Sequence, residues 1–379
     1  MSADPVSRQR VVLHVGTPKS GTTFLQRALW KNRDELRAVG VSCPGHRQQD
    51  MFHAAIEARE AFDYWGHDRE QLVGTWRRLC RDAQRFSGTT VMSHELLSAC
   101  TEEQVSACLA DLDGLEVHVL VTVRDLAKQV TSEWQERVKN GSTTTFAKFQ
   151  RRIEHQLDGG EFTSLFWRYQ HVVGVLDRWA DGLSADRVHV VVAPRNSADP
   201  TLLWRRFGEA VGFDAADLDP TTPGRANQTL GTAQVAVLRK VNKALDGRIK
   251  QPRYGRIVKN QLAQQLLAAQ PATKPVCPPE LVERLRTLAE TQNQVLHQRG
   301  YRVYGDLADL VPASPDPATV APDDVSAEDE VSVAVRAIAD LLAARAARQA
   351  RDGGATSEGP ADAASLLTRM RRRVGRSLG

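Results

Sequence analysis

VVLHVGTPKSGTT, residues 11–23, decides how this chain folds. An apolar, β-branched run ends in small residues and passes straight into helical periodicity, the pattern of a strand, a tight turn and a helix. Such a turn gathers several backbone N–H groups at one point, and the helix dipole adds positive potential there. A phosphate or sulfate group fits that nest, and Lys19 adds a full charge. The frame differs from G-x-x-x-x-G-K-[ST], in which lysine directly follows the last glycine and a hydroxyl follows lysine to hold magnesium. Here Lys19 precedes Gly21 by two residues, and Thr22 and Thr23 come after.

Working outward, Phe24, Leu25, Ala28, Leu29 and Leu36 keep helical spacing from Thr22 to about Val39, and Gly40 reads as the C-terminal cap. TTVMSHELL (89–97), LEVHVLVTV (115–123) and DRVHVVVAP (186–194) are further buried strands. Helices are predicted at about 68–85, 102–112, 126–139, 144–156, 164–181 and 200–212. This alternation implies an α/β fold, a three-layer α/β/α sandwich around a central parallel sheet, with ligands at the carboxyl ends of the strands. After Pro223 the pattern becomes mostly helical, at about 230–246, 254–269 and 278–298, and closes with GYRVYGDLADLVP (300–312). The expected division is a domain over 8–312, with an α/β core at about 10–215 and a helical completion at about 225–312. A Pro-, Asp-, Ala- and Ser-rich linker follows at 313–330. Residues 331–379 form a helical or disordered extension.

The 379 residues are 41% apolar and 25% charged, ordinary for a soluble globular protein, and the formal net charge is +4. That mild excess does not argue for nucleic acid, but it suits an enzyme that binds a polyanionic nucleotide. The five cysteines, Cys43, Cys80, Cys100, Cys108 and Cys277, show neither CxxC pairing nor metal-like clustering, so reduced thiols and no metal are expected. The polar start, MSADPVSRQR, and the lack of a ~20-residue apolar run give a cytoplasmic expectation.

The second informative stretch is TVRDLAKQVTSEWQE (122–136). Arg124 ends the third of these strands, and Ser132 lies eight residues on, along the following helix. A guanidinium on one side and a hydroxyl on the other can grip one phosphate. Trp134 on the same helix reads as either core or a wall of an acceptor pocket.

Together these stretches resemble the sulfotransferases that use 3′-phosphoadenosine 5′-phosphosulfate (PAPS). That family carries a PKSGTT-like loop after its first strand and an Arg-then-Ser pair, eight apart, at a later strand–helix junction. The resemblance covers roughly 10–312 and takes in Tyr169, Trp179, RANQTLGTAQVAVLRKVN (225–242) and GYRVYGDLADLVP. Pro194-Arg195 departs from the Tyr-Glu that many members have after the fourth strand. The resemblance implies a bacterial-type enzyme that moves a sulfuryl group to a hydroxyl acceptor (a carbohydrate, glycolipid or small metabolite) and releases 3′-phosphoadenosine 5′-phosphate. It implies that Lys19 stabilises the leaving oxygen, that Pro18, Lys19, Ser20, Gly21, Thr22 and Thr23 hold the 5′ end, and that Arg124 and Ser132 bind the 3′-phosphate. Ser132 would also restrain Lys19. No metal is required.

A general base must take the acceptor's hydroxyl proton. Glu95 falls on the family's histidine position and is the first choice, with capping or an ion pair as its plain alternative. His94 alternates to the other side of the strand, and His53 is a further candidate. Arg225 and Asn227 could reach the donor, or simply form a turn before a helix. The last stretch, with Leu366, Leu367, Met370, Val374 and Leu378 opposite five arginines, is a solvated tail or a helix that contacts a membrane surface or a partner. Two other functions stay open: a P-loop kinase or NTPase, and a non-catalytic nucleotide-binding scaffold. The oligomeric state is not legible.

Overall fold

A computed structural model describes residues 9–221, 229–314 and 319–354. Six parallel strands form one sheet: β1 (Arg10–Gly16), β2 (Val41–Ser42), β3 (Thr89–Ser93), β4 (Glu116–Val123), β5 (Val188–Val192) and β6 (Arg302–Tyr304), ordered β2-β3-β1-β4-β5-β6. Helices cover both faces, which is the expected three-layer α/β/α architecture. The chain reverses its direction of travel across the sheet around β1. The crevice at that switch point therefore lies over the loops that follow β1, β3 and β4.

Strand alternation divides the core. Val11, Leu13 and Val15 of β1 join Met92, Val119, Val121, Val190 and Val192 beneath Ile56, Leu79, Leu176 and Trp179. Val12, Leu120 and Val191 face the other way, against Leu25, Ala28, Leu29, Trp204 and Phe207. A third apolar cluster lies outside the sheet, where Val130, Trp134, Val138, Phe149 and Trp167 pack against Leu238, Val258, Leu281 and Leu285. Trp134 is core: it is buried, and its indole N–H donates to the Thr144 carbonyl at 2.9 Å.

The structure refines the sequence reading at several elements: the helices expected over 68–85 and 164–181 are each two, Arg69–Leu72 with Thr75–Gln84 and Leu165–Gln170 with Val172–Trp179, and Asp50–Ala58 is a further helix. The helix expected over 22–39 is two, Thr22–Lys31 and Arg33–Ala38, broken at Asn32, whose side-chain amide donates to the carbonyls of Ala28 and Asp219. The closing GYRVYGDLADLVP contributes β6, so the helical half completes the sheet rather than merely following it. The helix Ala327–Gly354 begins within the expected linker, and Asp323 before it accepts from the N–H groups of Phe146 and Ala147 at 3.0 and 2.7 Å. Among the described residues no helix is long and apolar enough to cross a membrane. The basic stretch from Leu366 to Leu378 lies outside them.

Candidate active site

Glycine is obligatory where β1 ends. Gly16 has φ +101°, and a Cβ there would lie 2.7 Å from Glu95 Cα. Lys19 also sits in the left-handed region, at φ +69°, a conformation that costs a side-chain-bearing residue about 1–3 kcal/mol unless its surroundings impose it. They do. Thr17 N–H and Oγ1 both donate to the Thr122 carbonyl, at 2.6 and 3.2 Å. The Ser20 hydroxyl donates to the Thr17 carbonyl and lies 2.6 Å from Thr122 Oγ1. Gln129 donates to Thr17 Oγ1 and the Pro18 carbonyl, and Gln170 donates to the same carbonyl. The Ser20 side chain is thus an internal anchor, and its amide also turns inward, donating to the Thr17 carbonyl at 3.4 Å. Gly21, at φ +98°, leads into the helix Thr22–Lys31, whose N-terminus has no side-chain cap. Its first amides lack intrahelical partners and can meet an anion.

The anchor continues into the sheet. His14 Nδ1 lies 2.7 Å from Ser93 Oγ and its Nε2 3.1 Å from Thr122 Oγ1, linking β3, β1 and β4 beneath the loop. Complete burial pushes the His14 imidazole down to about 3, so it is neutral at ordinary pH.

Cations converge on the loop from two directions. Arg124, at the tip of β4, donates from Nη1 to the Lys19 carbonyl at 3.3 Å, and burial pulls its guanidinium below the usual range. Lys19 Nζ lies 2.9 Å from Glu136 Oε2 on the helix Leu126–Lys139. Lys259, on the π-wound helix Gly255–Leu266, reaches the other oxygen of Glu136 at 2.6 Å and Asn140 Oδ1 at 3.0 Å. Burial opposes charge on Glu136, but Lys19, Lys259 and Lys139 overcome it and hold the carboxyl far below the usual range. Lys139, buried in the same group, is pushed down to about 8. Ser132 follows Gln129 by three residues and precedes Glu136 by four, so it shares the helix face that touches the loop. Glu136, the partner of Lys19 here, lies one turn beyond Ser132, the residue to which the family resemblance gave a restraint on Lys19.

Glu95 opens a short 3₁₀ turn after β3, packed against Gly16, and its Oε2 accepts from Gln26 Nε2 at 2.7 Å. Burial would raise its pKa, but His94, Gln26 and His14 outweigh that and keep the carboxyl below its ordinary value. His94 Nδ1 accepts from the Leu96 N–H at 3.2 Å, and burial lowers this ring's pKa. The His94 proton is therefore on Nε2, making the ring a donor rather than a base. His53 meets His67 edge-on at 5.2 Å and lies tilted against Phe52 at 6.0 Å, and Phe52 in turn packs on His94 at 5.4 Å. Beside Glu95 lies a cavity of about 490 Å³, walled by Leu29, Trp30, Met51 and Phe52, with His94 and Gln26 at its inner side. Opposite, burial raises the carboxyl of Glu133, whose partner is Arg137 at 3.0 Å. Glu95 and Glu133 both lie within electrostatic reach of the Tyr169 hydroxyl, which accepts from Arg59.

The loop 16–23, with Pro18, Lys19, Ser20, Gly21, Thr22 and Thr23, thus meets Arg124 at the end of β4 and Glu95 after β3. Ser132 lies on the neighbouring helix, His94 lines the cavity, and His53 packs against Phe52, one of its walls. Arg225 and Asn227 lie outside the described residues. Among those described, no group of three or more His, Cys, Asp or Glu side chains is placed to hold a metal ion. No family model and no curated protein matches the chain. Among solved structures it is similar to a sulfotransferase from Alicyclobacillus acidocaldarius, at 16% identity and a TM-score of 0.37, over 65% of this chain and 93% of that one. Nothing about the site is carried over from a likeness of that size.

Sequence reasoning missed Glu136, Lys259, Gln26 and Gln129. Glu136 and Gln129 had a signal, since both are a helical turn from Ser132. Lys259 had none, because only tertiary packing brings it to a helix more than a hundred residues earlier.

Proposed function

We propose that this protein is a sulfotransferase that moves a sulfuryl group from PAPS to a hydroxylated acceptor. The observation that carries this reading is the 3.3 Å contact between Arg124 and the Lys19 carbonyl, which sets two strand-end cations in one cleft. The loop amides and Lys19 would take the phosphosulfate end. Arg124, with the Ser132 hydroxyl, would take the 3′-phosphate. The residues suit a doubly phosphorylated adenosine better than a singly phosphorylated one, because the second cation stands at its own strand tip.

The chemistry follows from these positions. An acceptor hydroxyl in the cavity gives its proton to Glu95, which packs against Gly16 where the loop begins. Its oxygen bonds to sulfur as the bond from sulfur to the phosphate oxygen breaks, and Lys19 neutralises the charge that remains on the nucleotide. Lys19 must first part from Glu136. The His94 Nε2–H can hold a second polar group of the acceptor. Trp30 and Phe52 give the cavity an apolar wall, in keeping with an acceptor that has a hydrophobic or ring-shaped body.

Glu95 beside Gly16 is also where a magnesium nucleotide would find a carboxylate, so the test must separate the two. Titration calorimetry without magnesium should show 3′-phosphoadenosine 5′-phosphate binding far more tightly than AMP. Arg124→Ala should lower the affinity for the bisphosphate by about ten- to hundredfold, the worth of a charge-assisted hydrogen bond, and leave AMP almost unchanged. ATP with magnesium binding better than the bisphosphate would refute the proposal in favour of a kinase. Binding of neither nucleotide would point to a scaffold.

A further inference from the structure

The helix Ala327–Gly354 has two apolar faces, and the body of the protein covers only one. Val333 and Ala337 are buried against the helical half, where Gln270 donates to the Val333 carbonyl and Lys240 pairs with Glu330. Turned away from them are Val331, Val335, Ile338 and Leu342, each 58–62% exposed, with Leu341 alongside at 43%. A helix apolar on both sides needs a second neighbour.

The spacing of the bare face says which neighbour. Positions 328, 331, 335, 338, 342 and 345 follow the 3-4 alternation of a two-helix seam and read Glu, Val, Val, Ile, Leu, Arg. This series is complementary to itself when reversed. In an antiparallel pair Val335 meets Ile338, Val331 meets Leu342, and Glu328 meets Arg345, each contact occurring twice. Glu328 and Arg345 are both exposed, and among the described residues neither belongs to an ion pair within the chain. Apolar residues thus fill the middle of the seam, and opposite charges close both ends. That is what a two-fold interface requires, because the same patch must serve on both subunits.

We propose that this face pairs with the same face of a second copy, making the protein an antiparallel helix-to-helix homodimer. The five side chains on each copy would bury roughly 1,000 Å² in total, near the lower limit for a specific interface. The dimer is therefore reversible, with dissociation in the micromolar range rather than permanent association. A parallel pair is disfavoured, since it would set Glu328 against Glu328 and Arg345 against Arg345. The proposal is independent of the sulfotransferase reading.

Sedimentation of the full chain from micromolar to sub-millimolar concentration should show a reversible rise toward twice the 41.9 kDa monomer mass. Ile338→Glu should remain monomeric across that range. Glu328→Arg and Arg345→Glu should each weaken dimerisation at least tenfold, and the double variant should regain most of the loss. All three positions are exposed, and thermal melting of each variant checks that the fold is kept. A monomer at every concentration would overturn the proposal, whether the face is covered by this chain's own terminus or left bare. So would a dimer untouched by Ile338→Glu, or a double variant that fails to recover. Co-sedimentation with phosphatidylserine vesicles that depends on Ile338, while the protein in solution stays monomeric, would assign the face to a membrane surface instead.

Discussion

Replacing Glu136 by glutamine tests how the donor lysine is held. The carboxylate lies 2.9 Å from Lys19 and 2.6 Å from Lys259, and all three side chains keep 22–24% of their surface exposed. At the effective dielectric of such a site a unit pair near 4 Å attracts by about 4 kcal/mol, most of which desolvation and side-chain ordering offset. Their partial exposure puts each pair between a surface bridge, worth up to about 1 kcal/mol, and a buried one, whose loss costs about 3–5 kcal/mol. About 1.5 kcal/mol per pair is a reasonable working figure, so Glu136→Gln should destabilise the fold by about 1–3 kcal/mol. The same change frees Lys19 and removes a negative charge that competes with the nucleotide. Affinity for 3′-phosphoadenosine 5′-phosphate should therefore rise about tenfold, equivalent to about 1.4 kcal/mol, and the gain should shrink as salt is added. Calorimetry at two ionic strengths, with urea unfolding of both proteins, reads both effects. Affinity that is unchanged or weaker in the glutamine variant would show that Lys19 is not held in reserve by this carboxylate.

Two further changes probe other parts of the crevice. Glu95→Gln keeps an oxygen for the Gln26 amide to bond, so nucleotide affinity should stay within twofold while turnover falls by about 10²-fold or more; an active variant would move the base elsewhere, Glu133 being next in line. His14 is pushed down to about 3 in the folded chain against 6.5 when unfolded, so below pH 6.5 the unfolded state binds the extra proton. Urea midpoints should therefore fall as pH drops from 6.5 toward 3, by at most about 1.4 kcal/mol per pH unit from this group. His14→Gln should be less stable at pH 7.5 but lose that part of the slope, and a slope identical to the parent's would remove His14 from the account.

The central strands and the loop were legible because buried parallel strands write long β-branched runs, as in VVLHV and LEVHVLVTV, and because a Gly-rich turn with lysine has few other uses. The two-residue β2 and three-residue β6 are too short to show any period, and they exist only because a longer neighbour supplies the ladder. The break at Asn32 could have been found, since an asparagine followed by Asp34 and Glu35 is a helix-start pattern inside what otherwise reads as one helix. The direction of Ser20 could not. Its hydroxyl turns inward to the Thr17 carbonyl and to Thr122, a residue from another strand. In the same way the pairing of Lys19 with Glu136 could not be read, because it joins groups more than a hundred residues apart.

The sheet's last strand also constrains how the molecule can be made. Residues 302–304 pair with 189–191, so more than a hundred residues of chain separate partners that lie side by side. At ordinary ribosomal speeds the wait between them is on the order of ten seconds. Throughout that interval VHVVV has one margin open, and a bare hydrophobic margin invites joining to a neighbouring nascent chain. A fragment ending near residue 225 would keep that hazard permanently, so the helical half also guards the first half's solubility during synthesis.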